Sequence, residues 1–145
     1  MTQGMPDIHT VMGFDYGERR IGIATGQTIT GTAAPLVTLQ CPGKQPDWNA
    51  IAEHIRQWKP DALIVGMPYY LDGSSSDMTR KAEVFVKSLA AHFDLPVFTV
   101  NENLSSYEAE QLLNQRQVKI GQHNKQELDK MAAAVIVQSW LEQNS

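Results

Sequence analysis

The chain carries one cysteine, Cys41, in 145 residues. No internal disulfide can form, so packing and hydrogen bonds must hold the fold. That usage fits a reducing compartment, and a cytoplasmic location is expected. Long apolar runs are also missing. None approaches the roughly 18 residues that a membrane span needs, so no membrane partner is expected. The stretch from Met1 to Thr10 lacks the basic and apolar regions of a secretory signal. The four histidines, His9, His54, His92 and His123, are scattered without the spacing of a zinc site. Nor is there an excess of positive charge. Twelve Lys and Arg against sixteen Asp and Glu leave a net charge of −4. Non-specific binding to nucleic acid rests on neutralising phosphates and goes with a basic chain. The balance argues against that class, but it leaves room for a local basic surface and for acids that hold metal ions.

What is present is a globular composition, 42% hydrophobic and 19% charged. The length suits a single domain, residues 1–145. His9 to Phe14 is rich in β-formers and runs into the turn signal Asp15-Tyr16-Gly17. Arg20 to Thr25 alternates as a second strand, and Thr32 to Leu39 forms a third. Pro35 places that third strand at an edge or a bulge. Links this short predict an antiparallel meander. Helices and strands then alternate. Asp47 caps a helix with Trp48, Ile51, Ala52, Ile55 and Trp58 on one face, stopped by Pro60. Ala62 to Val65 and Val97 to Val100 read as buried parallel strands. Between them, a helix carries Ala82, Phe85, Val86, Leu89 and Ala90 inward. Ser105 to Glu108 and Asn124 to Glu127 are capping-box patterns that open two further helices, the last reaching about Glu142. The fold class is therefore α/β, a mixed sheet of three antiparallel strands plus parallel strands with helices on both faces. Sites in such sheets form at the carboxyl ends of the parallel strands.

Three acids fall where that edge is expected. Asp15 ends the first strand and Glu102 follows the last; each alone reads equally well as a turn or loop residue. Asp129 is more informative. At about 100° per residue, Ala132, Ala133, Ile136, Val137 and Trp140 surround its direction on the final helix. A carboxylate there is expected to be buried without a partner, which is costly, unless a cation joins it. If the first, fourth and fifth strands are neighbours, all three acids meet. Hard divalent ions such as Mg²⁺ suit such a ligand set. Two of them roughly 3.5–4 Å apart can activate a water and stabilise the leaving oxygen of a phosphodiester.

The segments around these acids resemble a known family. Phe14-Asp15-Tyr16-Gly17 with Arg20-Ile21-Gly22-Ile23-Ala24 is similar to the opening of the YqgF family, ribonuclease-H-like bacterial proteins described as Holliday junction resolvases and as nucleases maturing the 5′ end of pre-16S rRNA. Ile64 to Pro68 followed by Asp72-Gly73, Glu102 to Ala109, and Asp129 to Ile136 resemble its later motifs, in order and with compatible spacing. The resemblance spans about Val11 to Glu142. It implies a ribonuclease-H-like fold and metal-binding catalytic roles for Asp15, Glu102 and Asp129. It also implies Mg²⁺ or Mn²⁺ as cofactor, two ions with substrate bound, and hydrolysis of phosphodiester bonds. The partner implied is nucleic acid, precursor rRNA ahead of branched DNA, with ribosomal particles as a further partner and a Holliday junction resolvase acting on DNA as the alternative. One position departs: Asn103 stands where the family has arginine, which removes a charge beside Glu102.

Cations that would contact phosphates are Arg19 and Arg20 in the first hairpin and Arg116, Lys119 and Lys125 in an acid-free stretch leading to Asp129. A non-catalytic nucleic-acid or ribosome-binding module on the same fold is the competing function. The Asp-x-Gly hairpin also resembles the phosphate loop of actin-like ATPases and sugar kinases. Those clamp ATP between two lobes, and this chain is too short for a second.

Overall fold

A computed structural model describes residues 8–69, 73–101 and 122–144, with the side chains of 122–126 left out. β1 (Thr10–Asp15), β2 (Arg20–Gln27) and β3 (Thr32–Gln40) form the expected meander. α1 (Trp48–Trp58), β4 (Ala62–Met67), α2 (Asp77–His92), β5 (Val97–Asn101) and α3 (Gln122–Gln143) follow. The sheet order is β3-β2-β1-β4-β5, with β1, β4 and β5 mutually parallel. These three strands therefore end at one edge, at Asp15, Met67 and Asn101. β3 lies at the opposite border of the sheet. Its register slips between Ile23 and Ala24, which face Val37 and Pro35 and leave Leu36 over, so Pro35 meets both of its expectations.

Alternation along the strands sorts side chains into two cores. Met12, Phe14, Ile21, Ile23, Leu63 and Val65 face one way and pack on Ile51 of α1 and Ala82, Phe85 and Leu89 of α2. Val11, Ala24, Ala62, Ile64 and Val100 face the other way, against Ala133, Ile136, Val137, Trp140 and Leu141 of α3. Helices thus cover both faces. α1 starts where Asp47 accepts the Ala50 N–H (3.1 Å) and ends at Lys59 in a left-handed turn before Pro60. α2 opens with a reciprocal box. Ser76 Oγ accepts the Thr79 N–H, Thr79 Oγ1 accepts the Ser76 N–H, and the buried Thr79 hydroxyl donates to the Pro68 carbonyl at 2.7 Å. That bond ties the start of α2 to the exit of β4. At the far edge, Asp61 accepts the N–H groups of His9 and Thr10, which sets the start of β1 beside β4. Among the described residues no helix is long and apolar enough to cross a membrane.

α3 lies unusually close to its sheet because glycine faces it on three strands. A Cβ on Gly13 would meet Val137 at 2.2 Å, one on Gly26 the same side chain at 2.5 Å, and one on Gly66 would meet Ile136 at 2.4 Å. Gly22 is the tightest, since a Cβ there would sit 2.0 Å from the Asp129 carbonyl oxygen. Valine and isoleucine tips can rotate, but a helix backbone cannot. Gly22→Ala is therefore expected to lift the first part of α3 and cost about 3 kcal/mol or more. Gly31→Ala, at a left-handed but open turn, should cost less. Urea denaturation of both variants checks this, and a Gly22→Ala loss no greater than that of Gly31→Ala would contradict the close approach.

Candidate active site

The alternation that builds the cores also aims the polar ends of β1 and β2. Val11 and Gly13 face α3, so Asp15 is the next residue of that set. On β2, Gly22, Ala24 and Gly26 face α3, and Arg20 precedes them with the same parity. Asp15 and Gly22 are direct partners across the β1–β2 ladder. Because the Asp129 backbone rests on Gly22, the three residues Asp15, Arg20 and Asp129 come together at the carboxyl edge of β1.

Arg20 Nε donates to Asp129 Oδ2 at 2.5 Å. The two side chains keep only 29% and 20% of their exposure, so this is a partly desolvated, charge-assisted bond rather than a surface pair. It corrects one expectation. Asp129 does sit at the head of the apolar face formed by Ala132, Ala133, Ile136, Val137 and Trp140, all buried, but it is not left without a cation. Arg20 heads a strand whose isoleucines face away from α3, which the structure and not the sequence shows to be the side turned from Asp129. Asp15 is less well served. Burial of its carboxyl, and then the negative charge of Asp129, push it up to about 7 from an ordinary 3.8. Two carboxylates thus share one end of the sheet, and the charge on the second opposes ionisation of the first.

Of the remaining expected site residues, Arg19 is exposed on the hairpin. Glu102 lies outside the described residues, as do Asn103, Arg116 and Lys119. Lys125 belongs to α3, but its side chain lies outside them too. The chain leaves β5 at Asn101, which is paired with Met67 at the same edge where Asp15 stands. Among the described residues, Asp15 and Asp129 form a pair and no group of three metal-ligating side chains is complete.

The raised Asp15 pKa has a sign that experiment can test. Between about pH 4 and pH 7 the folded chain holds a proton on Asp15 that the unfolded chain has released. Metal-free stability should therefore fall as pH rises through this window and level off above it. Asp15→Asn removes this term, so the variant should be more stable than the wild type at pH 8, by on the order of a few kcal/mol, and similar to it near pH 4. Urea titrations in EDTA across pH 4–8 would show the two stabilities diverging. Parallel curves would contradict the desolvated, repelled carboxyl.

Residues 9–143 match the profile of a family described as "RuvX: Holliday junction resolvase". A protein of Pseudomonas putida (strain KT2440), named "Putative pre-16S rRNA nuclease", is 42% identical over 97% of this chain and 100% of its own length. One of Pseudomonas fluorescens (strain Pf-5) with the same name is 41% identical over 95% of each chain. Among solved structures, the fowlpox virus resolvase bound to Holliday junction DNA superposes with a TM-score of 0.55 at 12% identity, covering 92% of this chain and 97% of that one. Thermus thermophilus RuvC with its Holliday junction substrate gives 0.51 at 14% identity, covering 93% and 94%. At such low identity these two speak for the ribonuclease-H-like fold alone. Motifs, sheet order and a match over nearly the whole length agree, and the chain belongs to the RuvX (YqgF) family.

Proposed function

We propose that this chain is a divalent-metal-dependent endonuclease that trims precursor 16S rRNA. Asp15, Asp129 and Glu102 would be its metal ligands. The observation that carries the proposal is the meeting of Asp15 and Asp129 at the carboxyl edge of the parallel strands. The pair fits a hard divalent ion: both donors are carboxylates, and the Asp15 carboxyl is held about three pH units above its ordinary value beside a second negative charge. Phe98 and Val100 pack on the core against α3, and Glu102 is the next residue of that parity. The names of the relatives favour RNA; the family description favours branched DNA as the second substrate to test.

Bound Mg²⁺ or Mn²⁺, two ions with substrate, supplies an activated water and charge stabilisation of the leaving oxygen. The chain's own residues do the rest. Arg20 engages Oδ2 of Asp129 and limits its rotation. Asp15 must give up its proton before it can act as a ligand. Asp15→Asn should cut cleavage by roughly 10²–10⁴-fold, the equivalent of several kcal/mol of lost charge stabilisation, while leaving affinity for nucleic acid largely intact. Precursor rRNA and four-way junctions, each incubated with Mg²⁺, Mn²⁺ or EDTA, separate the substrates. Cleavage that persists in EDTA or in Asp15→Asn would sink the proposed mechanism. Binding without any cleavage of either substrate would favour a non-catalytic module.

A further inference from the structure

Immediately after Asp15, Tyr16 packs on the other face of the sheet, against the core shared with α1 and α2. Tyr16, Lys44, Trp48, Lys81, Phe85 and Ser88 line an open groove of about 190 Å³. Aromatic stacking and backbone bonds build its walls. Tyr16 stacks on the buried Phe85 at 4.9 Å, and Trp48 stacks on the other side of the cluster at 5.7 Å from Phe85. Lys44 is anchored through its backbone: its N–H donates to the Cys41 carbonyl (3.0 Å), and the Cys41 N–H donates to the Arg19 carbonyl (2.8 Å). That chain of bonds sets the turn Pro42–Lys44 beside the first hairpin.

Beside the groove, Glu18 is drawn to the cations around it. Lys81 Nζ lies 2.6 Å from Glu18 Oε2, and Lys44 and Arg19 are near enough to act on the same carboxylate. Together they hold the Glu18 carboxyl below its ordinary range, the Lys81 hydrogen bond contributing most. Lys44 and Lys81 both line the groove, while its acids lie around it: Glu18 is paired with Lys81, Asp77 acts on Lys81 but is itself paired with Arg80, and Asp47 is occupied in capping α1. Neither lysine is accounted for by packing: Lys81 is about half exposed, and Lys44 is exposed. A concave groove lined by two exposed lysines, next along the chain to Asp15 but on the opposite face of the sheet, is complementary to a phosphodiester anion.

We propose that this groove holds a backbone phosphate of the nucleic-acid substrate between Lys44 and Lys81, and that Glu18 competes for the same lysines until the substrate displaces it. The proposal deepens the nuclease reading and rests on it only in taking nucleic acid as the substrate. It makes two opposite predictions from neighbouring residues. Lys44→Ala/Lys81→Ala should weaken binding of a labelled single-stranded RNA by roughly tenfold, and the slope of log affinity against log salt should shrink by about 0.7, the share of one phosphate on a single strand. Glu18→Gln should tighten binding several-fold, because a competing carboxylate is gone. Fluorescence anisotropy on the full chain in EDTA, across a salt series, reads both without any cleavage, and circular dichroism confirms that the variants are folded. Wild-type binding with an unchanged slope in the double variant would overturn the phosphate site while leaving the nuclease reading intact. Weaker or equal binding by Glu18→Gln would overturn the competition. No binding by the wild-type chain would overturn both the site and the reading beneath it.

Discussion

The close contact of α3 with β2 at Gly22 is the constraint on which the rest depends. A helix normally stands off a sheet by the thickness of two layers of side chains. Here glycines on three strands remove one layer, and the Asp129 carbonyl occupies the space that a Cβ of Gly22 would fill. The hydrophobic effect drives the contact, through Ala133, Ile136, Val137 and Trp140 against Val11, Ala24 and Ile64. Its consequence is electrostatic. The same approach that buries the apolar face carries Asp129 down to the end of β1, where Asp15 already stands opposite Gly22.

Two acids so placed are unstable neighbours, and the molecule offsets only half of the cost. Arg20 reaches one carboxylate from the strand beside it. Asp15 retains its proton up to about pH 7 instead. A fold optimised for stability alone would place an asparagine or an apolar residue at the end of β1. An acid held in this state fits a site whose missing charge is supplied from outside, when ions and substrate assemble. The pair of Lys81 and Glu18 follows a related pattern on the opposite face: a charge pair formed in the resting chain is available for exchange with a substrate anion.

Much of this was legible in the sequence because it follows from periodicity. A β-rich run ending in a turn signal predicted β1, alternation predicted β2, and β3 followed with Pro35 at an edge or a bulge. Period-3.6 runs predicted α1, α2 and the apolar face that singled out Asp129. Short apolar stretches predicted β4 and β5, and their parallel order put Asp15 at the expected edge. What was not legible depends on tertiary approach. Asp129 was expected to lack a protein cation, because a helical face shows which residues are buried but not what meets them from another strand; Arg20 had been assigned to phosphate. Lys44 and Lys81 are far apart in the chain, and only the packing of the turn Pro42–Lys44 and α2 around Tyr16 makes them one surface. The depth of Gly22 was hidden for the same reason, since a glycine within RIGIAT reads as a weak strand residue until a helix is laid on it.

The central claim is that Asp15 is a metal ligand kept protonated by burial and by Asp129. Calorimetric titration of Mn²⁺ into the full chain, repeated in buffers of different ionisation enthalpy, measures the protons released as the ion binds. The account predicts about one proton released per site at pH 6, falling toward zero by pH 8.5, with the release abolished in Asp15→Asn. Binding that releases no proton at pH 6, or the same release in Asp15→Asn as in the wild type, would contradict it.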